Sequence, residues 1–507
     1  MTTNRRDFIK YVVAGSIAAG CPVDLSLLAA ETSPQPAVDS EDNRICHQVR
    51  DGKVFTLPPA TAHHDVVIVG GGVSGLSAAY FMRNLDLLLL EKDPHWGGNA
   101  YLMEHDGSAF ATGTAFLTKS EPAAFGLAKE IGLEPLPVQD RDATIIRGEW
   151  IPNTWTDGLD KLPYPATVRE GFKKFKREIL AVDVAKRSKE LYNVPFSNFM
   201  KGYPAEVKQW WDNYGPSNWG AASEQTAAAL AINELQDIGA DAVPDFYTWP
   251  GGLGAITKRL AEILQPKFAE RMRSGATTIA VVPGKKEVQV TYMEGTELKT
   301  VAAKTVIMAT PKFITRRIVQ GLPEKQSDAM HQIRYIPYPV VNLIFDKPVF
   351  KKSYDTWCPG NTFTDFIVAD WVVRNQPGYQ QKYNILTCYT PMKEDDRGYL
   401  LTEGSTRKIA ANVLRDFQKL FPGSNVDPIE VHIYRRGHPL YMSTPGLYTN
   451  VQPLVREPME RVFFANTDSE GPESTTNKGI LAAQRAVKEA EHRLAGKPMP
   501  KHPTAAG

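Results

Sequence analysis

Cysteine is scarce, with four residues, Cys21, Cys46, Cys358 and Cys388, in a chain of 507. No two of them form a C-x-x-C pair and none has a histidine partner at zinc spacing, so neither a disulfide framework nor a structural metal is expected. Net charge is almost absent too, at +1, which leaves no global field for nucleic acid. The densest basic run, Lys173, Lys174, Lys176 and Arg177 in "EGFKKFKREI", repeats as one solvated helix face does. His63 and His64 are adjacent, a spacing that does not aim two imidazoles at one metal, and they are read as loop. No apolar run reaches the roughly 20 residues that span a bilayer, so no stable membrane span is expected.

What is present begins with "NRRDFIKYVVAGSIAAGCP". Arg5 and Arg6 are followed by Asp7, Phe8, Ile9 and Lys10 and then by a short apolar run from Tyr11 to Gly20, the order of a signal peptide. The stretch resembles the twin-arginine export signal, with Asn4 where Ser or Thr is usual. That resemblance implies that residues 1–30 address an already folded protein to the twin-arginine machinery and the periplasm. The cleavage site and lipidation at Cys21 stay open. Residues 31–63, with Pro34, Pro36, Pro58 and Pro59, read as an irregular arm, and residues 496–507 as a disordered tail.

The segment "DVVIV" at 65–69 is a run of β-formers without polar alternation, as in a parallel strand buried on both faces. Gly70, Gly72 and Gly75 then supply G-x-G-x-x-G, and a helix is predicted from Val73 to Arg83. The first glycine allows a tight turn, the second admits a pyrophosphate, and the third lets the helix pack close to the strand. A second strand, "LDLLLLE", ends in Glu91, whose carboxylate can accept hydrogen bonds from an adenosine ribose. Taken in that order, these parts predict a doubly wound, Rossmann-like α/β domain binding a dinucleotide.

After Glu91 comes "KDPHWGGNAYLMEHDG", with Gly97-Gly98 where a plain NAD domain would start another crossover helix. Here, in "YTWPGGLGAITKRLAEIL", in "TTIAVVPGKKEVQVTYMEGTELKTVAAKTVIMATP" and in "ERVFFANTDSEGPESTTNKGILAAQRAVKEA", the chain resembles the flavin-containing amine oxidase superfamily, related to phytoene desaturases and protoporphyrinogen oxidases. The resemblance implies FAD, bound non-covalently, because the position where some members attach it through cysteine is His438. It places Gly70, Gly72, Val73, Ser74, Gly75, Glu91, Lys92, Gly97, Gly98, Asn99, Ile279 and Ala309 along the cofactor. It further places Asp468 near the ribityl chain, and Gly479 and Ile480 at a helix start facing the ring. Residues 64–118, 245–318 and 437–495 are expected to form the FAD domain, and 119–244 with 319–436 an inserted α+β substrate domain.

The resemblance also exposes departures. Amine-oxidising members carry a lysine where this chain has Val340, and aromatic residues where it has Pro439 and Thr476. An aromatic pair sandwiches an amine over flavin N5, which Pro and Thr cannot do. The expected reaction is therefore hydride transfer from a substrate C–H to flavin N5, by C–N oxidation or by desaturation and ring oxidation, with oxygen or a quinone as acceptor. A silent flavoprotein acting as a binding partner is the alternative. His438 is the candidate acid or base, or else a hydrogen-bonded structural histidine. Tyr441, Thr476 and Val340 are expected at the substrate pocket, with Tyr434 a further candidate, while Arg435 and Arg436 either bind an anion or pair at the surface. Tyr203, Trp210, Trp211, Tyr214 and Trp219 in "YPAEVKQWWDNYGPSNWG" either line a tunnel or pack a helical core.

Overall fold

The computed structural model describes residues 34–140, 142–240, 246–374, 376–422 and 427–500. The segment read as an export signal, with Cys21, and the tail beyond residue 500 lie outside the described residues. The described residues open with strand β1 (Ala37–Ser40) and helix α1 (Arg44–Arg50). Residues read as an irregular arm thus carry two elements. They escape a pattern search because β1 is four residues long and takes its hydrogen bonds from a strand almost four hundred positions away, Ala37 opposite His432 and Ser40 opposite Arg435.

The dinucleotide unit follows as β2 (His63–Val69), α2 (Val73–Phe81) and β3 (Leu87–Leu90). In the sheet, β3 and β2 run parallel to the end of the long strand Glu297–Met308, which also pairs in parallel with β4 (Val462–Phe464). Residues 272–273 extend the other edge. Burial on both faces is visible in the alternation. Val66, Ile68, Leu87, Leu89 and Ile307 point into one core with α2, Gly254–Phe268 and the terminal helix α3 (Thr476–Leu494), while Val67, Val69, Leu88, Leu90 and Val306 point into another. The first half of Glu297–Met308 turns antiparallel against Val288–Glu294, which in turn pairs with Ala276–Val282.

The second sheet has eight strands, in the order 37–40, 430–435, 340–345, 384–389, 365–368, 355–357, 143–146 and 149–152. On it sits a helical cap whose core is aromatic, with Trp155, Phe172, Phe175, Trp210 and Trp211 all buried. In the basic run of Ala166–Leu180, Lys174 and Arg177 are exposed, while Lys173 and Lys176 are half-buried beside the face that carries buried Phe172, Phe175 and Ile179. Among the described residues no helix is long and apolar enough to cross a membrane.

Candidate functional site

The glycine loop is closed on itself and on the neighbouring strand end. Gly70 has φ +107° and a Cβ there would meet the Ala309 carbonyl oxygen at 2.8 Å; one on Gly75 would meet the Gly70 carbonyl oxygen at 1.7 Å. Gly75 therefore serves helix–strand packing beneath the cavity rather than lining it. Glu91 fastens the loop: its Oε2 accepts from Gly71 N–H at 2.6 Å and its Oε1 from Asp93 N–H at 2.8 Å. Burial raises its pKa, partly offset by Lys92.

The resulting cavity of about 200 Å³ is lined by Gly70, Gly72, Val73, Ser74, Glu91, Lys92, Gly97, Gly98, Asn99 and Ala309, all read from the sequence as cofactor contacts. Four other expectations need correction. A bulge between Thr278 and Ala280 turns Ile279 into the protein and presents Thr277 and Thr278 instead. Helix α3 begins at Thr476, capped by Thr475, a turn earlier than expected. Gly479 and Ile480 consequently lie inside the helix, where the Gly479 carbonyl accepts from Ser74 Oγ at 2.9 Å and Ile480 is buried in the core. Asp468, only 1% exposed, turns away to a fully buried lysine. Its Oδ1 lies 2.7 Å from Lys312 Nζ, and its Oδ2 accepts from Lys312 N–H at 2.8 Å and Tyr335 Oη at 2.6 Å. Thr467, the preceding residue, faces the cavity in its place.

This donor set fits FAD. The N-terminus of α2 has no side-chain cap, so its N–H groups are open to a pyrophosphate. At Thr114 and Thr476, Oγ1 atoms are buried without a partner. Residues Asn99, Thr114, Ser474, Thr475 and Thr476 line both this cavity and a second one of about 560 Å³. They mark where a flavin ring would meet substrate. His438 lines the cofactor cavity, its ring 4.5 Å from that of Phe313, and does not line the second cavity. Burial first, then the nearby Arg397 charge, lowers its pKa to about 3. It is neutral at ordinary pH.

Val340, Pro439 and Thr476 all line the larger cavity, so the positions of the expected lysine and aromatic pair face it with Val, Pro and Thr. Tyr441 does not line it; the ring is buried behind the wall and its hydroxyl donates to the Gly471 carbonyl at 3.2 Å. Tyr434 is likewise set back, hydrogen-bonded to His95 at 2.7 Å. Arg436 is buried, donating to the carbonyls of Thr112 and Gly98 with its guanidinium 4.0 Å over the Tyr434 ring, and Arg435 donates to the Leu400 carbonyl. Of the aromatic insert, Trp210 and Trp211 are core while Tyr214 and Trp219 also reach the cavity.

Sequence reasoning missed the acidic wall. Asp142, Glu234, Asp355, Asp365 and Glu473 line the cavity. Asp365 accepts from Ser217 and Thr364 hydroxyls at 2.8 and 2.6 Å, Asp142 from Trp357 Nε1 at 3.1 Å, and Glu234 from Tyr214 Oη. Asp355 is 3% exposed and its Oδ1 has no partner. Burial raises the pKa of each, that of Glu234 to about 8. Lys478, from the first turn of α3, brings a lysine to the cavity by another route. One signal was available: a lone Asp inside each of the apolar β runs "YDTW" and "TDFIV", where a buried charge demands a reason.

The family described as flavin-containing amine oxidoreductase matches residues 73–490. The chain is similar to the oxidoreductase PigB of Serratia sp. (strain ATCC 39006), 24% identical over 525 residues, covering 85% of this chain and 76% of that protein. With the flavin-containing amine oxidase A of Canis lupus familiaris it is 22% identical over 478 residues, covering 85% of each. A solved structure of a putrescine oxidase with redesigned cofactor binding superposes with a TM-score of 0.66 at 18% identity, over 85% of this chain and 100% of that one.

Proposed function

This chain belongs to the flavin-containing amine oxidoreductase family, and from that premise we propose that it is an exported oxidase of a cationic amine, acting at a C–N bond. It is an FAD-dependent oxidoreductase. The observation that carries the finer reading is the unpartnered, buried Asp355 carboxylate oxygen in a cavity wall that also holds Asp142, Glu234, Asp365 and Glu473. A buried carboxylate without a counter-charge is costly, and an ammonium group relieves that cost. An anionic substrate such as a carboxylate-bearing porphyrinogen finds no counter-charge in these five carboxyls.

Gly70, Gly72 and the α2 N-terminus would hold the pyrophosphate, Glu91 a ribose, and Thr467 with Ser474–Thr476 the ring end of FAD. FAD, held without a covalent link, would supply the two-electron acceptor, with oxygen or a quinone as the final oxidant. The protein's own part is to hold the substrate ammonium on the acidic wall and to keep its α-carbon at the junction of the two cavities. Glu473, next to Ser474 at that junction and raised in pKa by burial, takes the proton the ammonium must lose. The neutral amine is the form that would lose its α-hydride to the bound flavin, and water would split the resulting iminium into a carbonyl compound and ammonia or a smaller amine.

Ring oxidation is the second reading, favoured by Val340, Pro439 and Thr476 at positions without lysine or aromatic cage. Anaerobic mixing of the flavoprotein with amines, polyenes and porphyrinogens separates the two. Cationic amines should bleach the flavin absorbance, and Asp355→Asn should raise their half-saturation at least about tenfold. Bleaching by a polyene or porphyrinogen, with none by any amine, overturns the amine reading.

A further inference from the structure

The geometry points to residues 37–50 as a strap that retains the cofactor, added ahead of the part of the chain that matches the family. That match begins at residue 73, whereas β1 and α1 precede it. Strand β1 is the edge of the substrate-domain sheet, paired in parallel with residues 432–435. Ten residues later the chain is on the other domain, where the Arg50 carbonyl accepts from Arg317 Nη1 at 3.3 Å. Between these anchors the segment crosses the cofactor cavity, and Glu41, Asn43 and Cys46 form part of its wall beside Glu91, Lys92 and Asp93.

Polar contacts fix the crossing. Asp42 N–H donates to Asp93 Oδ1 at 2.8 Å, and Lys92 Nζ lies 2.9 Å from both oxygens of the same carboxylate. Asn43 Nδ2 donates to Glu41 Oε2 at 3.1 Å, and Arg407 donates to the Pro36 carbonyl. Asp93 is 5% exposed and lies two residues after Glu91, which accepts from Gly71 N–H and from Asp93 N–H. One carboxylate therefore docks the strap and braces the ribose end of the cofactor site, so FAD leaves that end when the strap lifts. This inference rests on the cofactor site alone and is independent of the substrate.

The test uses the FAD-loaded protein and follows the rise in free-flavin fluorescence after dilution. Asp42→Pro removes the N–H that docks on Asp93, whereas Asp42→Ala keeps it. The strap predicts FAD release at least about tenfold faster in D42P and close to wild type in D42A. Hydrogen exchange on the unmodified protein gives a second readout: amides of residues 41–46 should gain protection when FAD is bound. Release from D42P at the wild-type rate, or equal exchange with and without FAD, overturns the strap. A chain that takes up no flavin at all overturns the cofactor assignment instead.

Discussion

Lys312 is a lysine with no exposed surface, and its Nζ has two oxygen neighbours, Asp468 Oδ1 at 2.7 Å and the Ala465 carbonyl at 2.8 Å. Burial lowers its pKa and Asp468 opposes that shift. Such a pair is not a large net stabiliser, but removing one partner strands the other charge. Lys312→Met should therefore cost about 3–5 kcal/mol in urea unfolding, and adding Asp468→Asn should recover part of that loss. Additive losses in the two variants would show that the pair is not coupled. The sequence presented Asp468 as an acid beside a β-strand and assigned it to the cofactor. Its true partner lies 156 residues earlier, and an ion pair at that separation leaves no spacing for a motif to carry. The glycine loop was legible for the opposite reason, since each of its contacts is local or reaches a strand with a pattern of its own.

Helices α2 and α3 cross at a glycine, and the crossing sets the cofactor site. A Cβ on Gly479 would come within 2.7 Å of Val73 Cγ1 and 3.1 Å of Ser74 Oγ. Val73 is β-branched and stiff at χ1, so it yields poorly, and it occupies the first turn of the helix whose N-terminus would cradle the pyrophosphate. Gly479→Ala should therefore push α2 away from α3, costing about 1–3 kcal/mol and weakening FAD binding. Thermal unfolding and flavin titration report the two effects; unchanged FAD affinity would mean that the crossing does not set the cradle. At this scale the order and type of β2, α2 and β3 are legible because unbroken apolar runs and the glycines between them mark each element. Boundaries were weaker: α3 starts at Thr476 because Thr475 Oγ1 accepts from Lys478 N–H at 3.2 Å, a capping signal passed over in favour of the later glycine. The elements of the N-terminal arm were invisible because β1 has no partner nearby in sequence.

The whole molecule places a cofactor sheet and a substrate sheet so that five residues are shared between their cavities. Its charge is near zero, and that balance hid the acidic wall, whose carboxylates come from two strands, one helix and two loops and gather only in three dimensions. Their ionisation has a defined sign. A carboxyl whose folded pKa exceeds its unfolded one binds its proton more tightly in the fold. Its stabilising contribution is complete below the unfolded value and is lost as pH rises through the folded value. For Glu234 that window runs from its ordinary 4.5 to about 8, so without ligand the protein should lose thermal stability across it, and Glu234→Gln should lose less. A cation bound in the cavity inverts the trend, because it favours the ionised wall. A quaternary ammonium inhibitor, which carries no titrating proton of its own, should bind roughly tenfold more tightly at about pH 9 than at about pH 6, one pKa unit being about 1.4 kcal/mol. Binding that stays flat over this range would remove the carboxylates from substrate recognition and with them the case for an amine.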